Sequence, residues 1–224
     1  MKLNTLEGGM AWRMEQEHRA LVEDPLAKLP GEATIKLVQF DDQYETVFDM
    51  NLKSCPELTQ NTFVPRGSTA LLDAQGRTIA ELGREPAALP EEERPSKVIV
   101  VTLTDGLENA SKHYNIEQIG ELIREQRDKY IWDFVFLGAN QDAIATAEAM
   151  NIPLPSAMSY STGKAEMAAT MAAVSNYVGA ARGGLLGGRA QVGHEKGCVS
   201  PERDSRVIFL GFPGSLQRVS KMVF

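Results

Sequence analysis

Residues Val98 to Leu103, VIVVTL, most restrict how this chain can fold. Six residues rich in β-branched side chains, with no alternation of polar and apolar, mark a strand covered on both faces. A parallel sheet with helices above and below provides that environment. The run stops on Thr104-Asp105-Gly106, a hydroxyl, a carboxylate and a turn-forming glycine. In open α/β sheets, ligands bind in the crevice beyond the carboxyl ends of the strands. Asp105 therefore stands where such a fold places its chemistry.

The flanking sequence supplies the rest of such a sheet. Thr5 to Glu23 reads as a helix with Leu6, Met10, Met14 and Leu21 near one face. Thr34–Phe40 and Tyr44–Phe48, joined by Asp41-Asp42-Gln43, read as an antiparallel hairpin. Gly67-Ser68-Thr69 opens a helix that turns Leu72, Ile79 and Leu82 inward. Asn115 with Gln118 has capping-box spacing, and the helix it starts buries Ile116, Ile119 and Ile123 and pairs Arg124 with Asp128. Trp132–Leu137 is a second buried strand, Ala143–Met150 a short helix, and Ala157–Ser161 a short strand. Lys164–Arg182 carries Met167, Met171, Val174 and Val178 as an amphipathic stripe, a pattern that packs a core.

The expected class is α/β: a Rossmann-like, three-layer α/β/α sheet, mostly parallel with one antiparallel edge strand. Residues 1–182 form this domain. Residues 183–224 are a glycine-rich, irregular tail with one strand at 206–212.

Charge narrows the function. Lys and Arg number 17 against 27 Asp and Glu in residues 1–182, and 6 against 3 in residues 183–224. An acidic body is a poor phosphate-neutralising surface, so nucleic acid is not an expected partner. Two cysteines far apart, Cys55 and Cys198, make no disulfide framework. Without a long apolar run or a signal-peptide pattern, a cytoplasmic protein with no membrane contact is the expectation.

Two loops converge at the carboxyl edge, one opening the helix at Ser68-Thr69 and one at Asp105. A hydroxyl and a carboxylate there suit a hard cation such as Mg²⁺, which takes oxygen ligands and keeps several waters. Pro65 to Ala74 (PRGSTALLDA) and Val98 to Asn109 (VIVVTLTDGLEN) resemble the second and third metal loops of von Willebrand factor type A domains. KLVQFDDQYETVF and FVFLGANQDA resemble the compact bacterial and phage members, and the likeness covers roughly residues 5–182.

The resemblance implies a metal-ion-dependent adhesion site holding Mg²⁺ or Mn²⁺. It also implies a protein partner that binds through an acidic side chain, and no catalysis. Thr69 and Asp105 match the family's metal-site threonine and aspartate. Ser68, Gly106 and Asn140 would contact the partner from the same rim.

The chain departs from the family at its start. The central first strand, which ends in the main metal motif Asp-x-Ser-x-Ser, is missing or replaced, as a gene model begun at an internal methionine or a decayed copy would give. Metal binding is then weak or lost. Near the other end, Val207 to Leu216 (VIFLGFPGSL) has the shape of that segment, with Gly211 in place of the aspartate and Pro213 in place of the first serine. It is either a permuted replacement, in which Ser215 alone restores a ligand, or an unrelated or frame-shifted tail. A lost central strand would leave two open edges and marginal stability.

Other signals are set aside. Ser161-Thr162-Gly163-Lys164 lacks the upstream glycine and the following Ser or Thr of a phosphate-binding loop. His18, His113 and His194 have no zinc spacing. Glu91-Glu92-Glu93 is a solvated loop. The leading expectation is a non-catalytic binding module with an incomplete adhesion site. The rivals are a Mg²⁺-dependent phosphoryl-transfer enzyme using Asp105, which needs a second carboxylate, and a truncated fragment without function. Asp41-Asp42 sits at the hairpin turn, on an edge, away from that crevice.

Overall fold

A computed structural model describes residues 32–56, 68–87, 89–90, 93–104, 106–139, 142–160, 164–182 and 204–211. The side chains of 85–87, 164–168 and 171 are outside that description. So is the helix expected at Thr5–Glu23.

The sheet begins with the expected hairpin, β1 (Ala33–Phe40) and β2 (Tyr44–Asn51). Their register slips between Leu37 and Val38, where Val47 is the extra residue of a bulge. Helix α1 (Leu71–Ala87) leads to β3 (Lys97–Thr104), which contains the apolar run. Then follow α2 (Ile116–Tyr130), β4 (Asp133–Gly138), α3 (Ala143–Ala149), β5 (Ala157–Ser159) and α4 (Lys164–Arg182). The last described strand is β6 (Ser205–Gly211).

The six strands lie in the order β2-β1-β6-β3-β4-β5, and only β1 with β2 is antiparallel. One face packs Leu71, Ile79 and Leu82 of α1, Ile119 and Ile123 of α2 and Ala147 of α3 against Val98, Val100, Phe134 and Phe136. On the other face, Val174 and Val178 of α4 share a core with Ile99, Val101 and Leu137. This is the expected α/β architecture, consistent with a Rossmann-like three-layer fold. Among the described residues, no helix is long and apolar enough to cross a membrane.

The centre of the sheet is not vacant. The expected strand at 206–212 is Ser205–Gly211, and it lies between β1 and β3, parallel to both. The part of this segment that would carry Pro213 and Ser215 lies outside the described residues. The residues of β6 suit the slot. Val207, Ile208 and Leu210 are at most 2% exposed, burial worth about 2 kcal/mol for each side chain.

On α2 one local expectation is met and one is not. The capping box of Asn115 and Gln118 forms as expected, with both reciprocal bonds at 2.9 Å. The i,i+4 ion pair on α2 joins Lys129 to Glu125 rather than Arg124 to Asp128.

Helix α1 is fastened to the hairpin by a polar cluster that the sequence does not announce. Lys36, 6% exposed, places its ammonium 3.0 Å from Glu81 Oε2. Tyr44 donates to the same oxygen at 3.1 Å, and Arg77 donates to Oε1 at 2.8 Å while lying over the Tyr44 ring. Partial burial pushes the Glu81 carboxyl upward, but bonds from Arg77 and Lys36 outweigh it and hold it below the usual carboxylate range.

A depressed carboxyl stabilises the fold above its unfolded pKa, and that contribution is lost as pH falls through the lower, folded value. Glu81→Ala strands the Lys36 ammonium in the sheet and is expected to cost about 3 kcal/mol in urea unfolding at neutral pH. That deficit should shrink in acid. A neutral-pH change under half a kcal/mol would show that the cluster does not hold α1.

Candidate functional site

The carboxyl edge is built where the N-terminus of α1 meets the loop after β3. A helix start leaves its first N–H groups without intrahelical partners. Here other loops take nearly all of them. Thr69 N donates to Asn109 Oδ1 at 2.8 Å, and Asn109 N returns a bond to Thr69 O at 3.0 Å. Ala70 N donates to Asp41 O at 2.7 Å. Leu72 N donates to Glu108 Oε2 at 3.0 Å, and Asp73 N to Ser111 Oγ at 3.0 Å.

Two carboxylates organise the loop itself. Glu108 Oε1 accepts from Ala110 N at 2.9 Å and Ser111 N at 2.7 Å, and Oε2 accepts from Ser111 Oγ at 2.8 Å. Asp73 accepts from the backbone N–H groups of Lys112, His113 and Tyr114 at 2.8 to 2.9 Å. Burial pushes the Asp73 carboxyl upward, and the three backbone donors more than reverse this, leaving it below its ordinary value.

The expected convergence of the two loops is present. A Cβ added to Gly106 would fall 2.6 Å from Thr69 Oγ1, so the threonine hydroxyl lies where only a glycine fits without displacement. Thr69 is buried, while Ser68 and Gly106 are partly exposed on the rim. Thr104 shapes the turn, its Oγ1 donating to Gly106 O at 3.0 Å and accepting from Gly106 N at 3.3 Å. Asp105, between these two residues, and Asn140 lie outside the described residues.

One residue sits differently from expectation. Asp41 follows β1 immediately and is fully buried at this same edge, its carbonyl bound to Ala70 N beside Thr69. Its Oδ1 accepts from Gln43 N at 2.7 Å, while Asp42 is exposed. A position that looks like an outlying turn is brought inward because β1 is an inner strand beside β6.

Sequence reasoning missed Glu108 and Asp73 as organisers. The available signal was a carboxylate in the loop after the strand and another in the first turn of the helix before it. Among the described residues, no three His, Cys, Asp or Glu side chains group to hold a metal ion. The edge is nonetheless poor in free N–H donors and supplied with oxygens, a donor set that suits a cation in kind. Compared with known protein families, characterised proteins and solved structures, the chain matches none.

Because the folded Asp73 carboxyl is depressed, its hold on the loop is complete above the ordinary carboxylate pKa and fades as pH falls through the folded value. Hydrogen exchange at Lys112, His113 and Tyr114 should lose protection on acidification. Asp73→Asn should show reduced protection at neutral pH and little further change in acid. Equal protection in the variant would mean that Asp73 does not order the loop.

Proposed function

We propose that the chain is a non-catalytic, protein-binding module of the von Willebrand factor type A kind, with an incomplete metal-ion-dependent adhesion site at the carboxyl edge of its sheet. Thr69 and Asp105 are the metal-site residues, and Ser68, Gly106 and Asn140 the rim that meets a partner. Mg²⁺ or Mn²⁺ would be held weakly there, completed by an acidic side chain of the partner.

The observation that carries this reading is the latch between α1 and the loop after β3. It sets the Thr69 hydroxyl against Gly106, the next residue after Asp105. The donors at the helix start that could cradle an anion are bound by Asp41, Glu108, Asn109 and Ser111. What the edge offers is oxygen, which favours a cation over a phosphate. Strand order supports the family reading too, since β6 lies between β1 and β3, where the family's central first strand would stand.

Phosphoryl transfer, the second reading, gains one specific observation. Asp41 ends a strand in parallel register with β6 and is buried beside Ala70, so a second carboxylate reaches this edge. The occupied helix donors weigh against it, because a transferring phosphoryl group needs such donors or cations around its oxygens. Turnover of any phosphorylated substrate with Mg²⁺, abolished by Asp41→Asn, would establish it over the binding module.

Thermal melts of the chain with Mg²⁺ or Mn²⁺ test the proposal, since a ligand that binds only the folded state raises the midpoint. The parent should gain a few degrees, with Asp105→Ala and Thr69→Ala gaining none. Immobilised acidic peptides should retain the parent in Mn²⁺ and release it in EDTA. An unchanged midpoint in the parent, together with peptide binding indifferent to Asp105→Ala, would sink the metal-site reading.

A further inference from the structure

Among the described residues, the Oε1 atoms of Gln39 and Gln75 are buried acceptors that receive no hydrogen bond. Gln75 is anchored through its other amide atom, Nε2, which donates to Thr102. No such side-chain anchor holds Gln39 among the described residues, although it is only 2% exposed. A buried carbonyl oxygen without a donor is costly, and it calls for a water, an ion or a functional role.

The position of Gln39 in the sheet favours an ion. It is the next-to-last residue of β1, and it alternates with Ile35 and Leu37 on the face that α4 helps to cover. It stands in register with Gly211, the last residue of β6, and Gly211 stands in register with Leu103 of β3. Residues in register on neighbouring strands share a face, so the row runs Gln39, Gly211, Leu103 with no side chain at its centre. A glutamine side chain is long enough to cross the single strand spacing, about 4.8 Å, that separates it from Gly211.

This row lies at the carboxyl ends of three adjacent parallel strands, where open α/β sheets bind their ligands. Two residues beyond Gln39 is Asp41, buried and bound through its carbonyl to Ala70 N beside Thr69. Two residues beyond Leu103 is Asp105. The orphan oxygen thus belongs to the row of the sheet that leads directly into both proposed metal loops.

We propose that Gln39 Oε1 is a further protein ligand of the cation at this edge, reaching over Gly211 to join Thr69 and Asp105; the inference rests on the metal-site reading above. Amide carbonyl oxygens are hard donors that suit Mg²⁺, Mn²⁺ and Ca²⁺. Being neutral, Gln39 adds a ligand without adding charge, and affinity at such sites follows the number of charged ligands. A weak site completed by a partner's carboxylate is the consequence. A bound ion also relieves the buried acceptor, so residue 39 couples metal binding to stability.

Two variants of the full chain test this, by thermal melts with and without Mn²⁺ and by Mn²⁺ titration followed through electron paramagnetic resonance of the free ion. Gln39→Met keeps the length of the side chain and removes the acceptor. Without metal it should melt above the parent, because no carbonyl is stranded. With Mn²⁺ it should gain nothing, where the parent gains a few degrees. Gln39→Glu sets a carboxylate at the same point. It should melt below the parent without metal and bind Mn²⁺ about tenfold more tightly.

A parent shift abolished by Asp105→Ala but kept in full by Gln39→Met, with unchanged Mn²⁺ affinity in Gln39→Glu, overturns the inference and leaves the metal-site reading in place. The oxygen would then hold only a water. No shift in the parent, together with no Mn²⁺ binding by Gln39→Glu, overturns both.

Discussion

Among the described residues, the strand pairing that joins the β1–β2 hairpin to the β3–β4–β5 half of the sheet runs through β6. Seven residues from Ser205 to Gly211 carry this, with parallel ladders on both edges. The apolar surfaces of β1 and β3 depend on it as well. Val38 and Phe40 share one core with Ile208 and Leu210, while Ile35 and Leu37 share the other with Val207. A sheet whose inner strand comes from distant sequence is a cooperative object, because neither half is complete alone.

The carboxyl edge inherits its geometry from that sheet and its chemistry from the helix start beside it. Asp41 and Thr104 follow or end strands on either side of β6, and both turns meet the segment that opens α1. The bonds from Thr69, Ala70, Leu72 and Asp73 to these turns take up most of the donors that would otherwise attract an anion. That occupancy is the ground on which the proposed reading prefers a cation to a phosphate.

Much of the fold is legible in the residues because its signals are local. The unbroken VIVVTL run, the hairpin turn and the Asn115–Gln118 box each depend on neighbours within a few positions, and each forms where expected. The place of β6 is not legible in that way. VIFLG reads as a strand, but which edges it pairs with is settled by contacts more than a hundred residues away. Asp41 misleads for the same reason, since a hairpin turn looks peripheral until β1 is found to be an inner strand. Helix α2 ends on Ile131 at φ 57°, a left-handed position that usually takes glycine, so nothing in the sequence marks it. At the site, the convergence of the loops that carry Thr69 and Gly106 follows from the order of strands and helices, whereas the Glu108 and Asp73 bonds depend on the loop's path.

The most direct measurement is backbone amide exchange with nuclear Overhauser contacts across residues 205–211 in the folded chain. A central strand predicts that the amides of Val207, Ile208 and Leu210 exchange as slowly as those of Val100 and Val101, at the rate of global opening. It also predicts that Ile208 shows backbone contacts to both Lys36 and Val100, its neighbours on the two sides. Fast exchange through residues 205–211 without contacts to β1 and β3 would contradict a sheet completed by this strand.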